Sequence, residues 1–247
     1  MPNLTLYIAT HNRQVPHLKP YMTPVHAGKI NSSLELGIEG DDSGDNISAL
    51  NPFFSELTVL YWVWKNKLDS QYIGIAHYRR LFAINPADCQ IIFADYDFIV
   101  PHSKLFKLSL EEQYKREHGN YEWDLMIRIL RSRNPEYFET AKSVFCSNRI
   151  YRFNMLISDP KRISAYCEWV FPLLFEIWDK SKGGKDSYQS RYPGFLSERL
   201  FTLYVYHNQF KLKETKLDYP DGNYKESLLM IQNRINDYIF KCKSRKK

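Results

Sequence analysis

The chain has 247 residues, a formal net charge of +6, 44% hydrophobic residues and 15% aromatic ones. That hydrophobic share supports a packed core and excludes a disordered chain, while so modest a charge without any DNA- or RNA-reading motif argues against a nucleic-acid partner. No run of about 18 apolar residues marks a membrane span, and MPNLTLYIATHNRQ lacks the layout of a signal peptide.

Leu4 to Thr10 reads as a first strand, ending at His11-Asn12. A loop with Pro16, Pro20 and Pro24 follows, then the acidic, turn-rich IEGDDSGDNISALNP. From Phe53 to Lys67 the apolar residues recur at helical spacing behind Pro52, which predicts one helix. Next, YIGIAHYRRLF reads as a buried strand, Tyr72 to Ala76, with a glycine where a neighbour comes close. Strand, loop, helix, strand is the order of an α/β domain. Asp97 to Pro101 is another strand, and LSLEEQYKREH and WDLMIRILRSRNPEYFETAKSVF are helices broken near Asn134-Pro135. A strand over Ile150 to Ile157 precedes a long helix, ISAYCEWVFPLLFEIWDK, interrupted at Pro172. After a Gly- and Ser-rich loop comes the helix FLSERLFTLYVYHN, and beyond Lys211 a strand and a final amphipathic helix. Cys89, Cys146, Cys167 and Cys242 lack C-x-x-C spacing and read as the reduced thiols of a cytoplasmic protein.

The glycine-rich phosphate loops, the G-x-S-x-G elbow and H-E-x-x-H are all missing. What remains are polar groups at strand ends and helix starts, where open α/β sheets bind ligands. Strand alternation sends Arg79 and Arg80 to opposite sides, so at least one guanidinium faces the interior or a cleft. There it needs an anion, either a protein carboxylate or the phosphates of a ligand; the plainer reading is a solvated strand edge. Asp95-Tyr96-Asp97 has the spacing of a D-x-D pair that chelates a divalent ion such as Mg or Mn, or else is a turn before a strand. Glu198 either favours its helix N-terminus through the dipole or, beside a cleft, acts as a general base. Glu56 reads most simply as an ion-pair partner of Lys65 or an arginine.

Taken together, DDSGDNISALNPFFSELTVLYWVWKN, YIGIAHYRRLF, FNMLI and GFLSERLF resemble a bacterial glycosyltransferase family of capsule and O-antigen gene clusters, long carried as a domain of unknown function. That family has a D-x-G-x-N-I-S run, an E-L-T-x-x-Y-W-x-W-K-N helix, an H-Y-R-R strand end, an N-M strand and an E-R-L helix, in this order. The resemblance implies a single α/β domain with a GT-A-like mixed central sheet flanked by helices. Residues 1–100 would form mainly the nucleotide-sugar half, 101–210 the acceptor and catalytic half, and 211–247 an extension with a basic tail. It implies inverting transfer of galactofuranose from UDP-galactofuranose to a growing surface glycan, carried on undecaprenyl diphosphate at the inner membrane face. His77, Arg79 and Arg80 would stand where many relatives of the fold carry a metal-binding acidic pair, and stabilise the leaving UDP in place of, or beside, a divalent ion. Asp97 fits the family pattern better than Asp95 and is the metal candidate. The resemblance carries Asp45, Asn46, Asn51, Glu56 and Asn154 over as donor-site or supporting residues, and His11 and Arg191 are assigned to the same site. It does not identify the base, a role given to Glu198 for its place at a helix start facing the carboxyl edge of the sheet. The rivals are a transferase of the same fold using UDP-galactopyranose or another nucleotide sugar, and a non-catalytic carbohydrate-binding module.

Overall fold

A computed structural model describes residues 4–11, 18–181 and 188–220 of the chain. Strand β1 (Leu4–Thr10) lies between β2 (Met22–His26) and β3 (Tyr72–His77), parallel to both. Beyond β3 the sheet continues through Leu156–Ser158, Phe98–Pro101 and Leu212–Thr215. Leu156–Ser158 runs antiparallel to both its neighbours, which makes the sheet mixed. Alternation along β1 sends Tyr7 and Ala9 into one apolar cluster and Leu4, Leu6 and Ile8 into the other, so both sheet faces are covered. The close approach at Gly74 is real: a Cβ there would sit 2.7 Å from side-chain atoms of Ile157 and Leu6. Strand β2 was not expected across Pro24, but it lies at the sheet's edge, where a missing N–H breaks no ladder bond.

The expected helix from Phe53 to Lys67 is two helices, α1 (Asn51–Phe54) and α2 (Leu57–Asn66). Between them Ser55 takes φ 51 and ψ −131. The Asn51 side chain donates to the freed Ser55 carbonyl at 2.9 Å and to the Thr58 hydroxyl at 3.1 Å. Wholly buried Asp41 pins this region to the end of β2. It accepts from the Gly28 N–H (2.9 Å), the Lys29 N–H (3.1 Å), Ser48 (2.5 Å) and Thr58 (2.6 Å). Gly28, at φ 68, leaves room for Asn51, whose Cβ would lie 2.6 Å from a Cβ at that position.

The long helix Pro160–Ser181 passes through Pro172 without ending. The proline faces solvent, while Phe171, Leu173, Leu174 and Ile177 around it are buried, so packing holds the helix across one lost hydrogen bond. The helices Leu110–His118, Tyr121–Arg133 and Pro135–Val144 follow the expected pattern, the first with a Ser109–Glu112 capping box. In place of one strand from Ile150 to Ile157 there are two short ones, Arg149–Ile150 and Leu156–Ser158, separated by Phe153 (φ 76) and Asn154 (φ 50). The expected C-terminal helix and basic tail lie outside the described residues. Among the described residues, no helix is long and apolar enough to cross a membrane.

Candidate active site

The carboxyl ends of β1, β2 and β3 open toward the first turns of the helix Tyr192–His207, and between them lies a cavity of about 500 Å³. The position follows from the parallel strands, whose ends splay where helices leave the sheet. Ala9 and Ala27 keep the sheet side open, and His77, last in β3 and paired with Ala9, stands at its floor.

The chain does not stay extended after His77. His77 and Arg80 bond each other's backbone (3.2 and 3.0 Å) and close a tight turn over Tyr78-Arg79. Alternation therefore fails here, and both Arg79 and Arg80 line the cavity. Arg79 is exposed and forms no ion pair among the described residues, its guanidinium 5.0 Å from the Tyr78 ring centroid. The Arg80 and Arg152 guanidiniums lie 4.4 and 4.6 Å from the Phe153 ring centroid. Arg191 enters from the start of the site helix and donates to the Ser55 hydroxyl at 2.9 Å. His11, at the end of β1, lines the same wall; burial, and then Arg79, Arg191 and His77, lower its pKa. Three guanidiniums, those of Arg79, Arg80 and Arg191, thus line the cavity beside an imidazole held toward its neutral form.

The acidic groups sit opposite and are all held. Glu198 Oε1 accepts from the Phe153 N–H at 2.6 Å, and its Oε2 from Arg199 at 3.3 Å. Its side chain is 17% exposed, and burial pushes the carboxyl above the ordinary range, opposed by Arg199 and the Phe153 N–H. Glu56 accepts from Asn154 at 2.6 Å and lies 4.0 Å from His77 Nε2, so it does not pair with Lys65, which instead reaches Asp45 at 3.9 Å. His77 Nε2 carries a proton, because it donates to the Phe153 carbonyl at 2.7 Å. Ser55, Phe153 and Asn154 all line the cavity with positive φ. Such backbone strain costs about 1–3 kcal/mol per residue and persists where surrounding contacts enforce it.

Of the residues singled out in the sequence, His11, Asn51, Glu56, His77, Arg79, Arg80, Asn154, Arg191 and Glu198 meet at this cavity. Asp45 and Asn46 do not. Asp45 accepts from Tyr61 at 3.0 Å, and the Asn46 side chain bonds the backbone of Asp42, Gly44 and Ser48, so both shape the loop behind the site. Asp97 is remote as well. It precedes Phe98–Pro101, which runs in the direction of β3, and so stands at the opposite edge of the sheet. There its carboxylate accepts from Arg162 (2.6 Å) and the Lys211 N–H (2.8 Å). Among the described residues no group of three potential metal ligands comes together, and the two cavity carboxylates, Glu56 and Glu198, each accept a hydrogen bond. Sequence reasoning missed Ser55, Phe153, Gly194 and Phe195. Only Phe195 carried a signal, one helical turn before Glu198.

A mixed sheet flanked by helices, with its polar cavity at the strand ends, defines a GT-A-like α/β domain. The chain belongs to the family described as "Domain of unknown function (DUF4422)", which matches residues 5–209. It is similar to the apo structure of the bifunctional glycosyltransferase WbbM, with a TM-score of 0.78 and 27% identity, over 87% of this chain and 45% of that one. The chain thus spans less than half the length of that protein. No curated protein sequence matches it.

Proposed function

We propose that the protein is an inverting, metal-independent glycosyltransferase that moves galactofuranose from UDP-galactofuranose to a hydroxyl of a growing bacterial surface glycan. One observation carries the reading: a half-buried carboxylate, Glu198, and the guanidiniums of Arg79, Arg80 and Arg191 line one cavity. Transfer with inversion needs that pairing. Glu198 takes the acceptor hydroxyl proton as the oxygen bonds to the anomeric carbon, and on the far side the carbon–oxygen bond to the diphosphate breaks. UDP leaves with that electron pair, its new charge met by the arginines and His77. The likeness to a glycosyltransferase over most of the chain supports the reaction class, and galactofuranose follows from the resemblance of the sequence blocks. An acceptor on undecaprenyl diphosphate at the inner membrane face belongs to the same reading.

The test is transfer from UDP-galactofuranose to a panel of synthetic galactosides, with and without EDTA. Product that survives EDTA is the expected result. Loss of product to EDTA overturns metal independence, and no product on any acceptor while UDP still binds overturns the furanose donor. Asp97→Asn separates the ion-pair reading from the metal reading. It should cost about 1–3 kcal/mol of stability through its hydrogen bonds to Arg162 and Lys211 and leave UDP affinity unchanged. Lost UDP binding at an unchanged Tm would return Asp97 to the site.

A further inference from the structure

The start of the site helix carries an unusual glycine. Gly194 is buried within the helix Tyr192–His207, and its φ is not among the positive ones. A Cβ there would meet nothing nearer than Asn154 Nδ2 at 4.0 Å. Neither backbone conformation nor packing requires glycine at this position, and glycine weakens a helix relative to alanine. The space in front of it is the cavity itself. Phe195 stands beside it, half-buried and lining the same wall, with its ring stacked on His118 (4.2 Å between centroids, planes at 19°). Tyr188, 56% exposed, extends this aromatic group outward with its ring 5.3 Å from Phe195. One helical turn on from Phe195 is Glu198.

Arg79, Arg80 and His11 take the sheet side, where an anionic diphosphate belongs, and Arg191 closes it from the start of the helix, bonded to Ser55. Past Arg191 the helix side offers a bare glycine and an aromatic ring supported from behind. Aromatic faces bind the apolar faces of sugar rings, whose hydroxyls still need polar partners at the edge.

We propose that Gly194 and Phe195, extended by Tyr188, form the subsite for the acceptor sugar. The ring packs on Phe195, the missing side chain of Gly194 gives it room, and one hydroxyl reaches Glu198. This rests on the transferase reading above and adds which wall takes the acceptor.

Two assays on the full chain keep the two readings apart. Calorimetry with UDP tests the nucleotide site. Saturation-transfer NMR with methyl β-galactofuranoside and methyl β-galactopyranoside, each with and without UDP, tests the acceptor subsite. Wild type should show contacts to at least one glycoside. Gly194→Ala and Phe195→Leu should weaken that glycoside by about tenfold or more, as expected when a fitted sugar loses a methyl's worth of room or its ring contact. Their UDP affinity should stay within about twofold, and Phe195→Tyr should restore glycoside binding. Gly194→Ala should also raise Tm, which a purely structural role for the glycine would not allow. The subsite is overturned if wild type contacts neither glycoside, if both variants bind it normally, or if they lose UDP as strongly as glycoside, since the ring then serves the nucleotide. Absence of UDP binding in wild type overturns the proposed function, whatever the NMR result.

Discussion

Glu198→Gln is expected to lower kcat by about 100- to 10,000-fold, the range for loss of a positioned general base, with UDP affinity almost unchanged. Glutamine nearly preserves the shape and can still accept from the Phe153 N–H, but it cannot take a proton. The pH profile sharpens the test. A base works when deprotonated, so kcat/KM should rise with pH through the Glu198 pKa. Burial raises that pKa, so the acidic limb should lie above the ordinary carboxylate range. Arg199, only 3% exposed and bonded to Glu198, opposes the rise. Removing its charge should move the limb to still higher pH. An acidic limb at an ordinary carboxylate pKa, or a glutamine variant of near-normal rate, would falsify the assignment.

Arg79→Ala is expected to cost about 100- to 1,000-fold in kcat, as when one donor to a developing anion is removed. It should also weaken UDP binding while leaving Tm almost unchanged. The last point makes it diagnostic. Arg79 is exposed at the tip of a turn and forms no ion pair among the described residues, so its loss strands no buried charge. Arg79→Lys should recover only part of the rate, because an ammonium supplies charge without the fork that fits two phosphate oxygens. Initial rates and UDP calorimetry on the three proteins decide it. Full activity in the alanine variant would shift the leaving-group role to Arg80, Arg191 and His77.

What could be read from the chain depended on how local its cause was. Leu4–Thr10 and the strand entering His77 are written in short runs of buried side chains, and the sequence pattern alone locates them. The HYRR cluster announces itself by charge against apolar flanks, yet alternation misjudged its geometry because a turn replaces the strand after His77. The breaks at Ser55 and at Phe153-Asn154 leave no trace in hydrophobic periodicity: a reversed φ at one residue changes no pattern of apolar spacing, and none of the three is glycine. Asp97 misled for another reason. Its hydrogen-bonding partners, Arg162 and Lys211, are 65 and 114 residues away, and only the folded sheet brings them together.

Phe153 holds Glu198 by its N–H and His77 by its carbonyl, so a single residue spans the two ends of the proposed reaction. A shift of that backbone would alter the contact to the proposed base and the contact to the imidazole together, and so would couple proton uptake to diphosphate binding. Such a link obeys reciprocity: whatever factor a bound diphosphate applies to the proton affinity of Glu198, the proton applies to the diphosphate. Donor capture and readiness of the base would then be two readings of one equilibrium, visible as a UDP-dependent shift of the acidic limb.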